Sequence, residues 1–228
     1  SAQIQHLPNI AEPRDRYDLV GLCDASPKLV NFIGEMYGVP VPHRVTQYED
    51  LLGLDLDAVL LCFADPKTDA AVAALDAGKH VFIEKPMCYS VQEADKIIKS
   101  VETSGKTAMV GYMKQYDPGY RFARDEILAM PDIRFIQVNH LHPGNQGHLK
   151  EFTLYSFDDI PSKVIDFTKK QVKKAVTEAI GDAPEQARRI FFSLSGSMIH
   201  DISSLRGMFG PPKQVISAEV WREGTSVT

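Results

Sequence analysis

The sequence predicts an α/β protein in which a doubly wound parallel sheet is followed by an α+β domain. The first half alternates short apolar runs with helix-like stretches of about a dozen residues, and the apolar runs lack polar alternation, as is typical of parallel strands buried on both faces. After Pro118 the apolar runs lengthen and polar residues interrupt them, which indicates a sheet with one solvated face. The predicted domains are therefore 1–118 and 119–228.

The elements of the first half follow one another in strand and helix order. Ser26 and Pro27 supply an N-cap and a first-turn proline, and Gly78 is the residue type expected just after a helix. The predicted elements are a strand at 17–23, a helix at 26–37, a strand at 56–63, a helix at 66–77, a strand at 80–83, a helix at 91–101 and a strand at 107–112. The carboxyl ends of such parallel strands form the edge where open α/β sheets bind ligands.

The second half has a different pattern, with a polar stretch at 144–159 between two longer apolar runs. Its predicted elements are a helix from 118 to 130, long strands at 133–142 and 214–221, and helices at 161–180 and 185–192. Two strands make a small sheet, so we expect further strands beyond residue 228.

Composition excludes several classes of partner. The net charge is -5, and Lys and Arg are scattered rather than clustered, so neither nucleic acid nor an anionic membrane surface is expected. No run approaches the ~20 apolar residues of a membrane span. The three cysteines show no CxxC or Cys/His spacing, which fits a reducing cytoplasm without a disulfide framework. A small soluble ligand is the expected partner.

Asp24 follows the first predicted strand, at the ligand-binding edge of the sheet. In a dinucleotide-binding fold, an acidic residue here accepts hydrogen bonds from the ribose hydroxyls and repels a 2′-phosphate. The alternative is that Asp24 only helps to cap the helix that begins at Ser26.

The sequence Val81-Phe82-Ile83-Glu84-Lys85-Pro86 is the most informative local signal, because a buried strand delivers an acid, a lysine and a proline to the same edge. A lysine in a partly desolvated cleft can hydrogen-bond a substrate oxygen and stabilise negative charge that develops there. Pro86 fixes the turn that aims the lysine. The alternative is an exposed Glu84–Lys85 surface pair, which would be weak.

His200 lies on a predicted helix that ends at Gly210, but away from the apolar stripe of that helix. An imidazole is suited to accept a hydroxyl proton as an alcohol becomes a carbonyl. The alternative is a solvated or capping histidine beside Asp201. Tyr112 and Met113 are expected to line a cleft where the two domains meet, although core packing also explains them.

A metal site is not predicted. His140 and His142 would share one face of a strand, but no third ligand stands at a recognisable spacing from them.

Several motifs resemble the family of glucose-fructose oxidoreductase and inositol dehydrogenase: HLPN at 6–9, LVGLCDAS at 19–26, ALDAGKHVFIEKPM at 74–87, GYMKQYDP at 111–118, HDI at 200–202 and LRGMFGPP at 205–212. The resemblance implies an N-terminal Rossmann domain that binds NAD or NADP. It also implies a C-terminal domain with an open, mainly antiparallel sheet that contributes to the sugar site and to a homo-oligomer, a dimer or tetramer.

The resemblance also assigns roles to residues. It makes Lys85 and His200 the catalytic residues and Asp24 the acidic residue on the adenosine ribose, which favours NAD. The cofactor-binding residues implied are Asp24, Phe63, Glu84, Lys85 and Pro86, and the substrate-binding residues are Lys85, Tyr112, Met113 and His200.

The chain departs from the family pattern in three ways. It begins where the glycine-rich turn of the family enters its first helix, so we expect that an earlier strand and glycine loop are missing from it. Gly196 and Ser203 stand where family members commonly have aspartates, four residues before and three residues after the histidine. An insertion at about 144–192 is expected to reshape the substrate entrance.

The function expected is hydride transfer between a nicotinamide cofactor and a secondary hydroxyl or ketone of a sugar, polyol or related molecule. The alternative is a non-catalytic sensor that binds dinucleotide or sugar, which Gly196 and Ser203 favour and the retained Lys85 and His200 disfavour.

Overall fold

The computed structural model describes residues 1–12, 16–64, 66–141 and 146–228. Its first half contains five strands: β1 (Leu22–Cys23), β2 (Arg44–Val45), β3 (Ala58–Leu61), β4 (His80–Ile83) and β5 (Ala108–Val110). The helices of this half are α1 (Leu7–Ala11), α2 (Pro27–Met36), α3 (Tyr48–Leu52), α4 (Thr68–Asp76) and α5 (Val91–Ser104), and a π-helical turn, Ala2–His6, leads into α1. A 3₁₀ turn, Val41–His43, precedes β2.

The strands form two parallel groups. β1 pairs with β2, and β3, β4 and β5 form a three-stranded sheet in that order. Leu61 pairs with Ile83, and Ile83 pairs with Val110, so the carboxyl ends of the three strands lie side by side. The predicted parallel α/β architecture of the first half is confirmed, and it delivers the residues after β3, β4 and β5 to one edge.

Local sequence explains the helix ends. The Ser26 hydroxyl accepts a hydrogen bond from the Leu29 N–H and caps α2, as predicted. Ser90 and Glu93 form a capping box at the start of α5, in which each side chain accepts from the other residue's backbone N–H. Gly105 ends α5 with φ of 65°, a conformation that costs a glycine little.

The core lies between the three-stranded sheet and helices α4 and α5. Its fully buried residues include Ala71, Ala74 and Leu75 of α4 and Ile83 of β4. The opposite face of the sheet is less covered, because Leu60 is 40% exposed. The expectation that these strands are buried on both faces is therefore wrong for the described residues. The face toward α4 and α5 is covered, whereas alternate positions of β3 and β4 on the other face remain accessible.

The second half is mainly helical. It contains α6 (Pro118–Leu128), α7 (Gln146–Leu149), α8 (Ser162–Ile180), α9 (Glu185–Gly196) and α10 (Ile199–Phe209). A short antiparallel pair, β6 (Val220–Trp221) with β7 (Ser226–Val227), follows the helices, with a 3₁₀ turn, Arg222–Gly224, between the two strands. Another 3₁₀ turn, Met113–Tyr116, precedes α6.

The two long strands predicted in this half are not formed. Residues 133–141 have no strand pairing, residue 142 lies outside the described residues, and only Val220–Trp221 of the segment 214–221 is a strand. A strand requires a partner for its N–H and C=O groups. Neither segment meets one over most of its length in the described structure, and Phe135 and Ile216 remain 79% and 89% exposed.

Helix α10 joins the second half to the first. It packs on the 3₁₀ turn Met113–Tyr116 and on α6. Tyr120 donates to the Ser204 carbonyl at 3.0 Å, and an added Cβ at Gly207 would lie 2.1 Å from the Tyr120 hydroxyl. A glycine at 207 is therefore what allows this close approach. Among the helices described, none is long and apolar enough to cross a membrane.

Candidate active site

The turn after β4 forms the centre of the candidate site. The Glu84 N–H donates to the Leu61 carbonyl at 3.0 Å, which ties the turn to the end of β3. The Lys85–Pro86 peptide bond is cis. Lys67, which is 2% exposed, donates from Nζ to the Pro86 carbonyl at 3.2 Å. Strand pairing and the buried Lys67 together place Glu84, Lys85 and Pro86 at the predicted edge.

The Lys85 side chain reaches across to the second half of the chain. Its Nζ donates a hydrogen bond at 2.7 Å to the carbonyl of Gly196, which is the last residue of α9. Among the described residues Lys85 forms no ion pair within 4.0 Å. An added Cβ at Gly196 would meet nothing within 4 Å, so a larger side chain would fit there. At this position, where the family pattern predicts an aspartate, Lys85 instead contacts a neutral backbone carbonyl.

His200 lies in the first turn of α10, close to the lysines of the first half. Burial lowers its pKa, and the positive charges of Lys85 and then Lys114 lower it further, while Asp201 and Glu84 act in the opposite direction. Its Nδ1 is buried and has no hydrogen-bond partner among the described residues. These effects favour the neutral form of the imidazole, which can accept a proton.

A second polar cluster lies beside His200. Lys114 Nζ is 2.8 Å from Asp201 Oδ1, and His140 Nδ1 hydrogen-bonds Asp201 Oδ2. Burial tends to raise the pKa of Asp201, but the hydrogen bonds from Lys114 and His140 outweigh it and lower the pKa. Sequence reasoning considered His140 only as a metal ligand and missed this pairing, and His142 lies outside the described residues. In the described part, no group of three or more His, Cys, Asp or Glu side chains is placed to hold a metal ion.

Glu84 is oriented by a histidine that sequence reasoning did not single out. His6 Nε2 lies 2.7 Å from Glu84 Oε1, and the Lys85 N–H donates to Glu84 Oε2 at 3.0 Å. The hydrogen bond from His6 lowers the pKa of Glu84, although burial opposes it. The His6 ring also contacts Phe82 edge-on at 5.2 Å. The HLPN motif was the signal that contained His6. The alternative of a simple exposed Glu84–Lys85 pair does not describe this arrangement.

Asp24 occupies the position predicted for it, directly after β1. Its Oδ1 accepts from the Ser26 N–H at 2.8 Å, so it contributes to the turn before α2, as the capping alternative required. Burial raises its pKa, the Ser26 hydrogen bond opposes that rise, and the charge of Asp159 adds to it. Oδ2 makes no hydrogen bond to a described residue, so one oxygen is available to a ligand hydroxyl.

The remaining predicted residues lie at the same edge. Phe63 follows β3 and is 48% exposed, Tyr112 follows β5 and is half-buried, and Met113 begins the 3₁₀ turn and is 59% exposed. Because β3, β4 and β5 are neighbours in one parallel sheet, Phe63, Pro86 and Tyr112 follow adjacent strand ends, although Pro86 itself is buried. The exposed ring of Phe63 and the free oxygen of Asp24 fit a dinucleotide, whose ring systems pack on apolar groups and whose ribose requires an acceptor.

Comparison with known proteins identifies related oxidoreductases. Residues 2–112 match the model of an oxidoreductase family with an NAD-binding Rossmann fold, Gfo/Idh/MocA. Inositol 2-dehydrogenase of Salmonella typhimurium is 29% identical over 118 residues, which are 50% of this chain and 35% of that protein. Inositol 2-dehydrogenase 3 of Saccharopolyspora erythraea is 40% identical over 83 residues, 35% of this chain and 25% of that protein. The chain thus matches about a third or less of each relative's length.

Solved structures agree on the fold. The WlbA dehydrogenase of Bordetella pertussis, in complex with NADH and UDP-GlcNAcA, has a TM-score of 0.51 at 22% identity. That match covers 56% of this chain and 36% of WlbA. The Rossmann-type fold predicted from the sequence is confirmed, and residues 2–112 match the Gfo/Idh/MocA family of NAD-binding oxidoreductases.

Proposed function

We propose that this chain forms the catalytic part of an NAD(P)-dependent oxidoreductase that acts on a secondary hydroxyl or ketone of a sugar, polyol or related molecule. The observation that carries the proposal is that Lys85 Nζ, at the carboxyl edge of the parallel sheet, reaches the Gly196 carbonyl at 2.7 Å, four residues before His200. The charge of Lys85 also helps to lower the pKa of His200. The relatives named inositol 2-dehydrogenase support the class of substrate.

The residues that would hold the dinucleotide lie along the edge of the sheet. Asp24 would accept hydrogen bonds from the adenosine ribose, which favours NAD, while Phe63 would pack against the cofactor and the buried Pro86 would fix the turn that carries Lys85. When bound, the nicotinamide supplies the acceptor or donor of hydride. Glu84, fixed by His6, would accept from a ribose hydroxyl near the reacting ring.

The substrate would lie between the turn after β4 and α10. Lys85 would exchange its hydrogen bond with the Gly196 carbonyl for one with the substrate oxygen and stabilise the negative charge that develops there. His200, neutral because of burial and the neighbouring lysines, would accept the hydroxyl proton. In the reduction direction the same histidine would return the proton. Tyr112 and Met113 would line the substrate cleft.

We further propose that the protein works as a homo-oligomer in the cytoplasm and that its cofactor and substrate domains meet near residue 118. The spacing of the three cysteines, which shows no CxxC motif, supports the cytoplasm. The packing of α10 on Met113–Tyr116 and α6 supports a domain boundary near residue 118.

The test is the formation of reduced nicotinamide, followed by absorbance, in a panel of inositols, sugars and sugar alcohols. The full-length protein should turn over at least one of them. Lys85→Met should lower kcat about a hundredfold or more, because it removes the charge that stabilises the oxygen. Lys96→Met, which removes an exposed lysine of α5, should leave kcat unchanged.

Two results would contradict the proposal. Unchanged turnover in a folded Lys85→Met protein would remove Lys85 from the mechanism. Binding of NAD and a polyol without turnover of any compound would instead favour the second candidate, a non-catalytic sensor. The observation that favours a sensor is that Lys85 contacts the neutral carbonyl of Gly196 rather than a carboxylate at that position.

A further inference from the structure

Asp159, far from the first half in sequence, occupies the start of helix α2. The Ser26 hydroxyl donates to Asp159 Oδ1, and the Lys28 N–H donates to Asp159 Oδ2 at 2.8 Å. The hydrogen bond from Ser26 is the main cause that lowers the pKa of Asp159, and Lys28 adds to it. A carboxylate from the second half is thus bound as an anion at the N-terminal end of a ten-residue helix.

Contacts that do not involve Asp159 hold its segment in place. The Gln3 amide forms two hydrogen bonds with the backbone of Tyr155, Nε2 to the carbonyl at 3.0 Å and Oε1 from the N–H at 2.9 Å. Phe32 of α2 contacts the ring of Tyr155 at 4.5 Å and that of Phe157 at 6.0 Å. The segment 155–159 is therefore fixed across the start of α2 by both the N-terminal turn and α2 itself.

The location matters because Asp24 lies beside it. The Ser26 N–H binds Asp24, and the Ser26 hydroxyl binds Asp159, so one residue joins the two carboxylates. When a carboxylate after this strand binds the 2′- and 3′-hydroxyls of an adenosine ribose, a phosphate on the 2′-oxygen would extend toward the start of the following helix. The donors available to that phosphate are the Ser26 hydroxyl and the Lys28 N–H, and Asp159 already uses both.

We propose that Asp159 is a second residue, in addition to Asp24, that selects NAD over NADP, because its carboxylate fills the anion position that a 2′-phosphate would need. The inference rests on the proposed function, since it assumes that a dinucleotide binds along this edge. Two effects act together: the donors are occupied, and a second negative charge repels the phosphate. NAD, which has a hydroxyl at this position, needs neither the donors nor a cation.

The experiment compares the dissociation constants of NAD and NADP, measured by titration calorimetry on the full-length protein. The unmodified protein should bind NAD at least about tenfold more tightly than NADP. Asp159→Ala should tighten NADP about tenfold or more, because it frees Ser26 and Lys28 and removes a like charge, and should change NAD by less than about twofold. Asp159→Asn keeps the shape of the side chain and should shift NADP in the same direction.

The matched control is Asp158→Ala, which removes an exposed carboxylate one residue away that makes no hydrogen bond to a described residue. It should leave the ratio of the two affinities unchanged. Equal binding of NAD and NADP by the unmodified protein would overturn the inference, as would an unchanged ratio in folded Asp159→Ala and Asp159→Asn, or an equal shift in Asp158→Ala. A full-length protein that binds neither dinucleotide would contradict the proposed function and, with it, this inference.

Discussion

His200 shows how single side chains determine the chemistry that this site can perform. Burial and two lysines disfavour the imidazolium, and Asp201 does not restore it because its oxygens are engaged by Lys114 and His140. The pKa of His200 is therefore lower than that of an exposed histidine. Oxidation of an alcohol needs the neutral imidazole, so kcat/KM should rise with pH through this lowered pKa and then become constant.

Lys114→Met should raise the pKa of His200, because it removes one positive charge and leaves the negative charge of Asp201 less compensated. The rising limb of kcat/KM for alcohol oxidation should then move to higher pH. The measurement is a pH profile of kcat/KM for the variant and for Lys99→Met, which removes an exposed lysine of α5. A limb that stays in place or moves to lower pH in Lys114→Met would show that the charge of Lys114 does not act on His200.

The sequence predicts the functional residues that lie within a recognisable motif, but not the distant side chains that hydrogen-bond to such motifs. Lys85 and Asp24 could be predicted because they follow apolar strands, and strand ends meet at one edge. His6 and Glu84 are 78 positions apart, and Lys114 and Asp201 are 87 positions apart, so neither pair has a local signal. Such pairs depend on tertiary packing, which charge type and spacing do not reveal.

At the scale of elements, the accuracy of the prediction depended on whether the stabilising contacts are local. The strand at 80–83 has the predicted bounds, and the helices predicted at 26–37 and 161–180 differ from α2 and α8 by a residue or two at an end. Helix ends are determined by nearby caps and glycines. The segments 133–142 and 214–221 have strand-like sequences, but a strand also needs a distant partner, which their composition does not specify.

Helix α4 shows the energetic importance of one element, because its buried face covers the sheet that carries the site. Leu75→Ala should lower the free energy of unfolding by about 2–5 kcal/mol, since Leu75 is completely buried and the cavity cannot fully collapse. Urea denaturation measures the change. Leu128, the last residue of α6, is 63% exposed, so Leu128→Ala should change the free energy of unfolding by less than about 0.5 kcal/mol. Equal losses in the two variants would contradict the described core.

At the scale of the whole molecule, the site is assembled from both halves of the chain. The first half supplies Asp24 and the turn with Lys85, and the second half supplies His200, the Gly196 carbonyl and Asp159. The family match ends at residue 112; from the second half, sequence reasoning identified His200, and the folded structure adds the contacts of the Gly196 carbonyl and of Asp159. Changes in the second half should therefore alter both cofactor choice and catalysis.

The proposed function requires that hydride passes between a polyol carbon and a nicotinamide at this edge. It is tested most directly by incubating the full-length protein with NAD and polyols deuterated at their secondary carbons, and then measuring the mass of the reduced cofactor. We expect at least one polyol to transfer a single deuterium to the nicotinamide ring and Lys85→Met largely to abolish the transfer. Recovery of NAD without deuterium from every polyol, by a protein that binds NAD, would contradict it.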